Sequence, residues 1–90
     1  MADLETQILF ITNLPKDIKT DSLLKMFKKF GDLIQIRIGN LPKTEGSAFV
    51  IFDNIETAVK AKKRMNGFFM ENKFINVVFW QPTFSLADKT

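Results

Sequence analysis

The residues from Ile36 to Phe52, IRIGNLPKTEGSAFVIF, constrain the fold more than any other stretch. They read as strand, short loop, strand. Side chains alternate faces along a strand. Ala48, Val50 and Phe52 therefore share one face of the second strand, and Ser47, Phe49 and Ile51 share the other. Both faces are largely apolar, as expected of a central strand covered on both sides. Phe49 cannot point the same way as Phe52, so one of the two aromatics lies off the core. An aromatic on the far side of a central strand suggests a platform for bases or for a partner.

Composition narrows the class. Ninety residues, 46% hydrophobic and 26% charged, suit one small globular domain over residues 1–90. Its core is expected at about 7–80, with a short tail at 81–90. No apolar run reaches the roughly 18–20 residues of a membrane span. The opening MADLETQ is acidic and lacks the basic start of a signal peptide. Cysteine is absent, which removes a disulfide framework and thiolate zinc sites. Histidine is absent too, which removes the commonest general base and metal ligand. The remaining carboxylates are scattered over loops and helix ends. The reading is a non-enzyme with no cofactor, no metal, no membrane partner and no small-molecule substrate. A net charge of +3 permits a nucleic-acid partner without demanding one.

Taken in order, Ile8 to Thr12 is a short apolar strand stopped by Pro15. Leu9 and Ile11 share one face; Ile8, Phe10 and Thr12 share the other. A helix is expected from about Asp21 to Lys29, with Thr20 as N-cap and Gly31 just past its end. Leu23, Phe27 and Phe30 form its apolar stripe, widened by Leu24. Leu33 to Ile38 is a strand with Ile34, Ile36 and Ile38 inward and Gln35 and Arg37 outward. Gly39 to Gly46 is a loop. A second helix runs from about Ile55 to Met65, capped by Asp53 or Asn54, with Ile55, Ala58, Ala61 and Met65 as its stripe. Lys60, Lys62, Lys63 and Arg64 fall mostly on its outer side. Asn66-Gly67 ends it. The last strand is about Phe74 to Phe79, and one helical turn is expected within Phe84 to Thr90.

The order βαββαβ predicts an α+β, ferredoxin-like fold: a four-stranded antiparallel sheet with two helices on one face. The helices are expected to bury Leu9, Ile11, Ile36, Val50, Phe52, Ile75, Val77 and Phe79. The open face is then Phe10, Thr12, Gln35, Arg37, Ser47, Phe49, Ile51, Phe74, Asn76, Val78 and Trp80. Such an apolar patch is rarely left bare without a use.

Two short motifs carry a resemblance. Leu9-Phe10-Ile11-Thr12-Asn13-Leu14 resembles the first-strand hexamer of RNA recognition motifs. Glu45-Gly46-Ser47-Ala48-Phe49-Val50-Ile51-Phe52 resembles their third-strand octamer, Lys/Arg-Gly-Phe/Tyr-Gly/Ala-Phe-Val-x-Phe/Tyr, at six of eight positions. Glu45 replaces a basic residue that would pair with a phosphate, and Ser47 replaces an aromatic. The resemblance spans roughly Gln7 to Trp80.

A narrower resemblance rests on ILFITNLP, IQIRIGNLPKTEGSAFVIF and MNGFFMENKFINVVFW. These are similar to the family of small RNA-recognition-motif subunits of splicing factor 3b. The loop Gly39 to Gly46, with its Gly-Asn-x-Pro-x-Thr-x-Gly pattern, and the small residue at Ser47 carry it. The resemblance implies a nuclear pre-mRNA splicing component in the branch-site-recognising particle of the spliceosome, the U2 snRNP. It also implies that a segment of the large splicing factor 3b subunit lies on the sheet. The first-strand aromatic, here Phe10, would then stand near the branch adenosine of the intron. That family usually has Tyr at the place of Phe10 and a basic residue at the place of Glu45.

The expected RNA-binding residues are Phe10, Phe49, Thr12, Arg37 and Ser47. The expected protein-partner face is Phe49, Ile51, Phe74, Asn76, Val78 and Trp80. An independent single-stranded RNA binder is the alternative. Such a protein wants basic surroundings about its aromatics, because phosphate contacts supply much of its affinity. The octamer has lost its basic residue and one aromatic, which favours weak intrinsic RNA affinity and an apolar partner.

Overall fold

The computed structural model describes residues 4–39 and 43–80. The middle of the Gly39 to Gly46 loop and the expected turn within Phe84 to Thr90 lie outside the described residues. The described elements are β1 (Ile8–Thr12), α1 (Thr20–Lys28), β2 (Leu33–Ile38), β3 (Ala48–Phe52), α2 (Ile55–Met65), β4 (Phe69–Met70), β5 (Lys73–Phe74) and β6 (Asn76–Trp80). Four strands form one antiparallel sheet in the order β2-β3-β1-β6, with the short β4-β5 hairpin apart from it. This is the ferredoxin-like arrangement, with β1 and β3 at the centre.

Pairing sets the core face row by row. Ile36, Val50, Leu9 and Phe79 lie side by side across the four strands. Ile38, Ala48, Ile11 and Val77 form the next row. Leu23 and Phe27 of α1 and Ala58, Ala61 and Met65 of α2 close over them. The Phe27 and Phe52 rings meet edge to face at 6.2 Å, a favoured aromatic geometry. The small alanines let α2 lie close to the sheet. Lys62 rests its ammonium 5.5 Å from the Phe79 ring centre and so covers the margin of this layer.

The helices begin differently. Asn54 caps α2, its side-chain oxygen accepting from the Thr57 amide at 2.9 Å. In α1 the N-cap position falls to Lys19, which makes no side-chain cap, and Thr20 is already helical. The expected Thr20 cap is therefore corrected, and the helix is Thr20–Lys28 rather than Asp21 to Lys29. At its other end Lys28 donates to Asp32 at 2.7 Å. That hydrogen bond first, and the ammonium charge second, hold the Asp32 carboxyl below its ordinary range.

Three apolar residues depart from the expected inward placement. Leu24 is exposed because it lies about 100° around the helix from Leu23, outside the stripe of Leu23 and Phe27. Ile55 stands at the exposed first position of α2. Ile34 is 61% exposed. Pairing with β3 skips it: Leu33 opposes Phe52 and Gln35 opposes Ile51, so Ile34 is the extra residue of a bulge and is turned outward.

Phe74 departs in another way: it is expected on the last strand, on the open face of the sheet. The chain instead folds back at Glu71 and Asn72, both left-handed with φ of 45° and 68°, and Phe74 pairs with Phe69 in the hairpin. Two successive positive φ values are the requirement of a tight two-residue hairpin turn. Ile75 bridges the hairpin to the sheet. Its amide donates to the Phe68 carbonyl and its carbonyl accepts from Gly67, while its side chain enters the core. The last sheet strand is consequently Asn76–Trp80.

Candidate nucleic-acid interface

On the open side of the sheet, the same register places Arg37, Phe49, Phe10 and Val78 in one row across the four strands. Gln35, Ile51, Ile8 and Trp80 form the neighbouring row. Thr12 and Asn76 begin a third. The centre of the face is thus apolar and aromatic, with polar side chains at its β2 margin and at one end.

Three rings meet at that centre. Phe10 and Phe49 lie 4.8 Å apart between ring centres. Trp80 stands 5.4 Å from Phe10 and 5.1 Å from Phe49, so it touches both. Its backbone is held from the N-terminal side, where the Thr6 hydroxyl donates to the Trp80 carbonyl at 2.7 Å. Phe10 and Phe49 are half-buried by this mutual packing, while Trp80 and Val78 are about two-fifths exposed, at 41% and 40%.

The two motifs have direct structural reasons. Asn13 turns the chain out of β1 at φ 66°, a left-handed conformation that Asn tolerates better than most residues. Its side-chain amide donates to the Phe74 carbonyl at 3.0 Å and so fastens the hairpin to the end of β1. Leu14 fills the core and its amide donates to the Gly46 carbonyl at 2.8 Å. Gly46 sits at φ 80°, and a Cβ there would come within 2.9 Å of the Leu14 carbonyl oxygen. The hexamer and the octamer are therefore fastened to each other at their ends.

A cleft of about 720 Å³ opens where they join. Its walls include Phe10, Phe49, Thr12, Arg37, Lys43 and Glu45. Ser47 lines it as well, but as part of the turn before β3 and not of the strand. Its hydroxyl and amide both donate to the Thr44 carbonyl, at 2.6 and 3.1 Å. The hydroxyl proton is thus committed to the loop, and what Ser47 offers a ligand is an acceptor oxygen.

Of the residues expected to meet RNA, Phe10, Phe49, Thr12, Arg37 and Ser47 converge on this cleft. Of the expected partner face, Ile51, Val78, Trp80, Phe49 and Asn76 share the open face of the sheet. Phe74 does not: its ring packs on Phe69 at 4.9 Å, and it is 63% exposed on the hairpin. Ile8 joins the face although the sequence reading left it out; its alternation with Leu9 was the signal. Lys43 and Glu45 line the cleft outside the expected site residues: for Glu45 the signal is its octamer position, where a basic residue would meet a phosphate, whereas for Lys43 nothing local in sequence says where the loop folds back. Among the described residues no group of His, Cys, Asp and Glu is placed to hold a metal ion. No described helix is long and apolar enough to cross a membrane.

Residues 9–76 match the RNA recognition motif. The chain belongs to the RNA recognition motif family. This RNA recognition motif is 39% identical over 75 residues to splicing factor 3B subunit 6 of Drosophila melanogaster, covering 83% of the chain and 62% of that protein. It is 32% identical over 81 residues to the splicing factor 3B subunit 6-like protein of Schizosaccharomyces pombe, covering 90% of the chain and 70% of that protein. The motif thus spans about three-fifths of the fly relative's length. Among solved structures it is similar to the Sxl-lethal protein/RNA complex, with a TM-score of 0.78 and 30% identity over 86% of this chain and 48% of that one.

Proposed function

We propose that this chain is a nuclear component of pre-mRNA splicing, working within a splicing factor 3b assembly near the intron branch site. In this reading the cleft side of the open face takes single-stranded RNA, with Phe10 available to the branch adenosine. A segment of the large splicing factor 3b subunit covers the rest of the face. The protein works by binding and not by catalysis.

The observation that carries the reading is the contact of Phe10, Phe49 and Trp80 on an apolar sheet face. Three rings flanked by Ile8, Ile51 and Val78 make a surface too apolar to suit phosphates alone. Burying such area is worth about 25 cal/mol per Å², which favours an amphipathic protein segment with aromatics at the centre and a polar rim. Arg37 and Asn76 would meet its polar groups. Phe10 borders the cleft, so RNA can approach it from the side that such a segment would leave open. The likeness to splicing factor 3B subunit 6 supports the choice of partner.

A second reading, an independent single-stranded RNA binder, is favoured by Arg37 and Lys43 in the cleft wall. Co-purification with the large subunit, followed by RNA crosslinking, separates the two. Val78→Asp and Phe49→Asp should abolish complex formation without unfolding the domain, since both side chains lie on the open face. Phe10→Ala should spare the complex and weaken crosslinking to the branch region. Assembly that survives both charged substitutions would leave the independent binder as the better reading.

A further inference from the structure

The cleft beside Phe10 holds two cations and one anion that no described residue pairs with. Arg37, Lys43 and Glu45 all line it. Among the described residues none of the three side chains makes a hydrogen bond or an ion pair. Glu45 is also fixed in place by its neighbours. The Thr44 carbonyl accepts from Ser47, and the Gly46 carbonyl accepts from the Leu14 amide at 2.8 Å. The backbone on either side of Glu45 is thus tied to the foot of β3 and to the end of β1. An exposed carboxylate is presented from an anchored position, beside a row of stacking rings.

A carboxylate does two things in such a place. It repels phosphate, so the RNA backbone is directed toward Arg37 and Lys43 instead. It also accepts hydrogen bonds and, when ionised, donates none. The bases differ in what they offer an acceptor. Adenine and cytosine present an exocyclic amino group, and guanine presents an amino group beside a ring N–H. Uracil presents one ring N–H between two carbonyl oxygens, both of which a carboxylate repels. Bases splayed on a protein surface are commonly read on these edges, and acidic side chains accept from base amino groups.

We infer that Glu45 is a specificity-determining residue, selecting a base with an exocyclic amino group over uracil at the position beside the Phe10 ring. The inference rests on the reading that this face takes single-stranded RNA. It gives a function to the position at which the octamer carries an acid in place of a base.

The test is fluorescence anisotropy of the 90-residue chain with eight-nucleotide oligo(A), oligo(C) and oligo(U). Wild type should bind oligo(A) and oligo(C) about tenfold more tightly than oligo(U), the scale of one base-edge contact. In Glu45→Gln the amide can offer an N–H to uracil, so the preference should shrink to about twofold. Glu45→Lys should tighten all three and steepen the salt dependence by about 0.7 in log–log slope, one additional phosphate contact. Differences in intrinsic base stacking are common to all variants and cancel between them. A wild type that binds all three alike, or a Glu45→Gln that keeps the full preference, overturns the selector. If Phe10→Ala still weakens binding in that case, the RNA reading stands without it. Binding to none of the three overturns the RNA reading and the selector together.

Discussion

Phe10 and Phe49 are registered partners on the two central strands, and their rings lie 4.8 Å apart with a tilt of 36°. Neither ring touches the layer of side chains between sheet and helices. They can therefore be removed with little effect on the fold. Phe10→Ala and Phe49→Ala should each weaken single-stranded RNA binding by about 1–3 kcal/mol, the worth of one stacked base. Urea denaturation should find both variants near wild-type stability. Phe27→Ala is the contrast. It opens the core under α1 and should lose about 3–5 kcal/mol of stability.

Gly46→Ala should be costly for a reason unrelated to helix or strand preference. The added Cβ meets the Leu14 carbonyl oxygen at 2.9 Å, at a φ of 80° that side chains resist. A loss of about 1–3 kcal/mol is expected. It should be accompanied by faster hydrogen exchange at the Leu14 amide, whose acceptor is the Gly46 carbonyl. Exchange at Leu14 equal to wild type would show that the hexamer–octamer fastening is not what the glycine protects.

The bulge makes two isoleucines of one strand unequal. Ile34→Ala should change stability by less than about 0.5 kcal/mol, as for an ordinary surface position. Ile36→Ala removes a side chain packed against the core and should cost about 2 kcal/mol. Chemical denaturation of the pair checks this. Equal losses would mean that Ile34 packs inward.

Asn13→Ala should loosen the β4–β5 hairpin selectively. The side-chain amide of Asn13 is what holds the Phe74 carbonyl. Amides of the hairpin should exchange faster than in wild type, while those of β3 keep their protection.

The element order, the two central strands and the placement of Phe10 opposite Phe49 were legible because period-two alternation and two spaced motifs agree. What was not legible depended on breaks in that alternation. Ile34 looks inward by count, and only the pairing with β3 shows that the count slips by one. Phe74 follows the same logic: Phe74, Asn76, Val78 and Trp80 alternate without interruption, so a turn at Glu71 and Asn72 had to be found first. Glu-Asn lacks the glycine that most plainly marks such a turn. The cleft was half legible. Its aromatic wall comes from strands, whereas Lys43 and Glu45 reach it through a loop path that no periodicity encodes.

The bulge at Ile34 has one more consequence. β2 is an outer strand of the four-stranded sheet, so its far side is a candidate template for another chain. A flat outer strand next to an apolar open face would invite copies of this domain to join edge to edge into a growing ribbon. The extra residue twists the strand and breaks its hydrogen-bond spacing where its side chains are most apolar, at Leu33, Ile34 and Ile36. The irregular position at Ile34 thus makes β2 a poorer template for edge-to-edge pairing than a flat strand of the same sequence would be.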